Sequence, residues 1–227
     1  MITVACVLRT GGVFTREWVW ALKRGLARNL EHFDFIVLTD DTAVEPYWRV
    51  PLQTDWPKWW SKLEVFRPGL FEAGTQVLYL DLDTLPVADL SPIATTPVHF
   101  AMLRDFYHPQ FAQSGVMMFE PSDLTAAVWE RAQRSIAHVM RRYRGDGEFL
   151  HAATNELATV HSSAARLQDL FPGRVVSYKV HARQGVPPNA LLVCGHGNPR
   201  FNTPAAGWAY EQWKSLAYPS RNGSSGY

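Results

Sequence analysis

Two carboxylates stand two residues apart at the end of an apolar run, Val77-Leu78-Tyr79-Leu80-Asp81-Leu82-Asp83. In an extended chain alternate side chains share a face, so Asp81 and Asp83 point at one object. Adjacent carboxylates repel unless a cation or a set of donors lies between them. A divalent metal carrying a diphosphate resolves that repulsion. Breaking the sugar–oxygen bond of a nucleotide diphosphate sugar puts further negative charge on the leaving diphosphate, and a bound cation stabilises it. His196 closes a second apolar run and is flanked by Gly195 and Gly197. It supplies a third ligand, and an Asp/Asp/His set suits manganese or magnesium, the imidazole favouring manganese. Glycines let backbone approach phosphate, and Arg200 can pair with it bidentately. A lone Asp-x-Asp or a lone histidine is common, so the weight lies in the combination.

These residues need strands to carry them. Ile2 to Leu8 reads as a first strand running into Arg9-Thr10-Gly11-Gly12. Phe14, Trp18, Leu22, Leu26 and Leu30 recur every four residues and predict a helix, with Thr15 as its cap and Glu17 in its first turn. Phe35–Leu38 is a second strand ending at Thr39-Asp40-Asp41, Lys58–Phe66 a second helix, and Val77–Leu80 a third strand. This alternation predicts an α/β fold with a mostly parallel sheet and helices on both faces. Ligands bind such sheets at the carboxyl ends of the strands, where three polar loops gather. Further on, Val98–Leu103 and Ser114–Phe119 read as strands and 122–142 as one helix. A polar turn at Gly145-Asp146-Gly147 leads to a helix over Glu148–Leu157, and Arg174–Val180 and Ala190–Cys194 read as late strands. We expect one domain over residues 1–217 and a disordered tail over 218–227.

Composition bounds the answer. The 227 residues are 47% hydrophobic and carry a formal net charge of +1, which gives no electrostatic case for nucleic acid. Cys6 and Cys194 lie in apolar runs and read as buried thiols. No apolar run approaches the ~18 residues of a membrane span, and residues 1–8 do not resemble a signal peptide. The expectation is a soluble cytoplasmic protein, free or peripheral at the inner membrane face. Trp56, Trp59, Trp60, Trp208 and Trp213 are either core or sugar-stacking residues. His99, His108, His138, His151, His161 and His181 show no metal-ligand spacing.

Trp59-Trp60-Ser61-Lys62-Leu63-Glu64 followed by Val77–Thr84 resembles the core of a GT-A fold nucleotide-sugar glycosyltransferase, closest in style to glycosyltransferase family 8 and its bacterial relatives. Gln113-Ser114-Gly115-Val116 resembles the family's Asn-Ser-Gly-Val strand, Gly145-Asp146-Gly147 its Asp-Gln turn, and His196-Gly197-Asn198-Pro199-Arg200 its late His-Gly-Lys-Pro element. The ordered set spans residues 1 to about 201 and is more specific than any single motif. The resemblance implies a metal held by Asp81, Asp83 and His196, and a UDP-sugar donor contacted by Arg9, Thr10, Asp40, Lys62, Asp81, Leu82, Asp83, Gly197 and Arg200. It implies Asp146, Gln113 and Arg200 as the groups at the reaction centre, transfer with retention, and an acceptor that is a glycan, a lipid-linked sugar or a protein. The chain departs from the family at Gln113, Gly147, Asn198 and Phe201, which bears on the sugar and acceptor.

Three other readings compete with this one. Tyr79–Asp83 also resembles the nucleophile motif of haloacid-dehalogenase-type phosphatases, with Asp81 as nucleophile and Asp83 as acid/base. That motif normally follows a first strand, whereas two strand–helix units precede this one. A nucleotidyltransferase would carry a basic Gly-rich signature that Arg9-Thr10-Gly11-Gly12 matches only in part. A non-catalytic sugar-nucleotide-binding module would keep the donor site and lose turnover.

Overall fold

The computed structural model describes residues 1–157 and 164–219. Its first half runs β1 (Ile2–Leu8), α1 (Arg16–Asn29), β2 (Phe33–Thr39), β3 (Arg49–Pro51), a 3-10 helix (Lys58–Phe66), β4 (Val77–Leu80), β5 (Thr84–Pro86) and α2 (Ser91–Ala94). The second half runs β6 (Phe100–Arg104), β7 (Ala112–Phe119), α3 (Asp123–Arg134), α4 (Ile136–Arg142), α5 (Asp146–Leu157), β8 (Ala165–Arg166), α6 (Leu167–Leu170), β9 (Val175–Ser177), α7 (Tyr178–His181), β10 (Leu192–Cys194), a short 3-10 turn (Pro204–Ala206) and α8 (Trp208–Ala217). His161 and tail residues 220–227 lie outside the described residues.

Seven strands form one sheet in the order β3-β2-β1-β4-β7-β6-β8. The first four are parallel as the alternation predicts, and β7 interrupts them, antiparallel to both β4 and β6. A second sheet, β5-β10-β9, was not foreseen. Its strands are three residues each, too short to show a period of two.

Side-chain alternation builds the core on both faces of the large sheet. In β1, Val4, Cys6 and Leu8 join one cluster with α1 and α8, while Ala5 joins the other. In β4, Leu78 and Leu80 take the first face, and Val77 and Tyr79 the second. The 3-10 helix, α3 and α5 cover that second face.

Local chemistry explains where elements differ from expectation. Residues 58–66 are helical but of the 3-10 type, entered through Lys58 at φ +54°. Glu64, fully buried, fixes this helix by accepting from the backbone N–H of Gln53 and Thr54, the Thr54 hydroxyl and Arg67. The helix over 122–142 breaks at Ser135, which takes φ −162° and ψ 69°, as a residue type favoured at helix ends. The strand expected to reach Val180 stops at Ser177, whose Oγ accepts from Val180 N–H and starts α7. Thr15 occupies the N-cap of α1 but makes no capping bond; its hydroxyl donates to Glu17 instead.

Candidate active site

The carboxyl ends of β1 and β4, the start of α5 and the loop after β10 enclose a cavity of about 550 Å³. Period-two alternation places Asp81 on the Tyr79 side of the sheet, beneath the 3-10 helix that carries Lys62. The Tyr79 hydroxyl donates to Asp81 Oδ1 at 2.8 Å. Lys62 Nζ lies 2.9 Å from Asp81 Oδ1 and 2.9 Å from Asp146 Oδ2. Ser114 completes the cluster, its Oγ donating to Asp146 Oδ2 at 2.6 Å. Burial alone would lower the Lys62 ammonium, but Asp146 and Asp81 outweigh it and hold it protonated. Burial also pushes Asp81 up, against the pull of Lys62.

The chain does not stay extended through Asp81-Leu82-Asp83. Thr84 N–H donates to Asp81 O at 3.0 Å, so the two carboxylates are presented by a turn. They still line one cavity. Asp83 is buried, and that burial, followed by the charge of Asp81, raises its carboxyl to about 7. Arg200 opposes the shift from 3.7 Å. The Asp83 turn is held against the His196 loop by Gly195 N–H, which donates to Asp83 O at 2.6 Å. A Cβ at Gly195 would sit 2.8 Å from that oxygen, so only glycine allows the approach.

His196 reaches the cavity wall, with its Nε2 2.6 Å from Ser177 Oγ and its ring stacked on Phe106. Burial and the neighbouring Lys179 lower its pKa, which keeps the imidazole neutral near pH 7.

The remaining expected residues divide. Arg9, Lys62, Leu82, Gln113, Asp146, Gly197 and Arg200 line the cavity. Thr10 and Asp40 do not; they bind each other, Thr10 N–H and Oγ1 each donating to Asp40 at 2.8 Å. Asp40 also takes Arg9 Nε at 3.3 Å and so aims that side chain. Gln113 folds onto its own loop, its Oε1 accepting from Gly115 N–H. Tyr79, Ser114 and Ser177 were missed. Tyr79 was legible as the residue two before Asp81, whereas nothing in the sequence marks Ser177. Cys6 and Cys194 are buried thiols whose pKa values burial raises, as their apolar context indicates.

The donor set suits a divalent cation in its chemistry. Asp81, Asp83 and Asp146 face Lys62 and Arg200, three carboxylates against two cations, which leaves one negative charge unmatched when Asp83 is ionised. His196 adds a neutral imidazole. Among the described residues no three His, Cys, Asp or Glu side chains converge as a preformed cage; Lys62 and Tyr79 engage Asp81, and Ser177 engages His196.

No family model and no curated protein matches the chain at the sequence level. Solved structures do match. The glycosyltransferase GlyE of Streptococcus pneumoniae TIGR4 superimposes with a TM-score of 0.66 at 13% identity, over 95% of this chain and 62% of GlyE. The galactosyltransferase LgtC, solved with donor and acceptor sugar analogues, gives 0.66 at 10% identity over 95% of both chains. The bifunctional glycosyltransferase WbbM gives 0.59 at 13% identity, over 96% of this chain and 50% of WbbM. The chain thus spans less than two thirds of GlyE's length. With its parallel β3-β2-β1-β4 core, antiparallel β7 and carboxylates after β4, the chain has the GT-A fold of glycosyltransferases.

Proposed function

We propose that this chain transfers a sugar from a nucleotide diphosphate donor, a UDP-hexose, to an acceptor hydroxyl. The observation that carries the reading is the charge arrangement at the strand ends: half-buried Asp81 and buried Asp83 and Asp146 against Lys62 and Arg200 in one cavity of a GT-A fold.

Asp81 and Asp83, with His196 turned from Ser177, are the residues to hold manganese or magnesium. Such an ion supplies positive charge to the departing diphosphate. Arg200 adds a guanidinium beside Asp83 for the same oxygens, and Arg9 lines the cavity with its guanidinium held by Asp40 and the Thr54 carbonyl. Gly195 and Gly197 line the cavity on either side of His196 without side chains of their own. Lys62 serves the sugar end. Its ammonium fixes the Asp146 carboxylate, whose free lone pairs accept sugar hydroxyls. The amide of Gln113 stands beside them. We assign retention from the likeness to family 8, with the departing phosphate oxygen receiving the acceptor's proton; Gly147 places no side chain beside Asp146 to share that work.

Calorimetric titration of UDP with manganese, and again with EDTA, tests this directly. Micromolar binding lost with EDTA is the expected result. Binding unaffected by EDTA removes the metal from the proposal. No binding of UDP, GDP or dTDP in either condition removes the donor.

A further inference from the structure

Three tryptophans lie close before Lys62, and burial separates them. Trp56 and Trp60 are core residues, at 9% and 5% exposed, whereas Trp59 is 47% exposed and lines the cavity. The backbone is bent to present it: Lys58, immediately before, holds φ +54°, a left-handed conformation strained for a side chain of this kind. The pyrrole edge of the indole lies against Gly145, where a Cβ would come within 3.5 Å of Nε1. Trp59 thus stands at the Asp146 end of the cavity, across a bare glycine from that carboxylate. Asp146 itself is held inside by Lys62 and Ser114, so a ligand on Trp59 occupies the outer position and one on Asp146 the inner. A flat apolar face beside hydrogen-bonding groups matches a pyranose, which offers C–H bonds on its face and hydroxyls on its edge.

We propose that Trp59 is the acceptor platform and that the acceptor presents a pyranose ring, as a saccharide or glycoside. The inference rests on the donor reading above, with the donor sugar in the inner position.

The test uses protein labelled with 5-fluorotryptophan, the Trp59 resonance being assigned by Trp59→Phe. The protein is saturated with UDP and manganese, then titrated with methyl β-D-galactopyranoside, methyl α-D-glucopyranoside and N-acetylglucosamine in turn. The Trp59 resonance moves with at least one of them. Trp59→Ala binds UDP within about twofold of wild type and that sugar about tenfold more weakly, and Trp59→Phe falls between. A Trp59 resonance that no sugar moves overturns the inference, as does a Trp59→Ala variant that loses UDP affinity as much as sugar affinity. Failure of the wild type to bind UDP, GDP or dTDP is a separate result; it removes the donor reading and takes the inference with it.

Discussion

The Lys62 ammonium bridges two carboxylates, Asp81 and Asp146, at 2.9 Å each. Removing one partner of a buried ion cluster costs more than the cluster contributes, because the remaining charges are left without compensation. Lys62→Met is therefore expected to lower stability by about 3 kcal/mol, read from urea unfolding. The double variant Lys62→Met/Asp146→Asn should recover about 1 kcal/mol of that loss. Asp83 behaves oppositely. Its carboxyl is raised to about 7, so its ionisation opposes folding, and that penalty grows as pH rises above the ordinary carboxylate range. Asp83→Asn should raise the melting temperature at pH 8 by about 2–4 °C and abolish manganese-dependent UDP binding. A lowered melting temperature would show that the Arg200 pairing outweighs burial. Lys62 and Asp146, the latter in a polar turn, were reached through the family resemblance, whereas Asp81 and Asp83 were legible in the sequence because charged residues closing an apolar run stand out. Ser114 and Ser177 were not, since a serine reveals its partner only when the fold supplies one.

Among elements, the loops that approach each other decide the site. Gly195 and Gly147 both line the cavity but for different reasons. A Cβ at Gly195 would strike the Asp83 carbonyl at 2.8 Å, whereas one at Gly147 meets Ser114 Oγ at an ordinary 3.4 Å. Gly195→Ala should cost about 1–3 kcal/mol and weaken UDP binding with it. Gly147→Ala should leave the urea midpoint near wild type. Equal effects in the two variants would mean that the Asp83 turn tolerates displacement. Long periodic elements, β1, α1 and β4, were readable because their apolar residues repeat. The turn at 81–84 and β5 were not, nor was the pairing that joins β5 to β10 and β9, although Arg174–Val180 and Ala190–Cys194 read as strands. Three residues carry no period, and their pairing is set by residues a hundred positions away, as in Cys194 opposite Thr84.

At the scale of the molecule, no described helix is long and apolar enough to cross a membrane. Trp208 and Trp213 prove to be packing residues: Trp208 Nε1 donates to Ala182 O, and Trp213 rests on Trp18 to seat α8 on α1. The helix α8 itself was not foreseen, because its burial depends on a face of α1 whose partner the sequence does not name.

Asp81 ends a strand of the large sheet, while Asp83 and Gly195 adjoin strands of the small one. A nucleotide seated between them would act as a fastener across two separate hydrogen-bonded bodies. Occupancy at about 100 times the dissociation constant adds about 2.7 kcal/mol to stability, and its share in the small sheet should appear as slowed amide exchange at Thr84, Leu85 and residues 192–194. The linkage also runs backwards. Val193, buried in that sheet, does not line the cavity, yet Val193→Ala should weaken nucleotide binding by loosening what the ligand holds together.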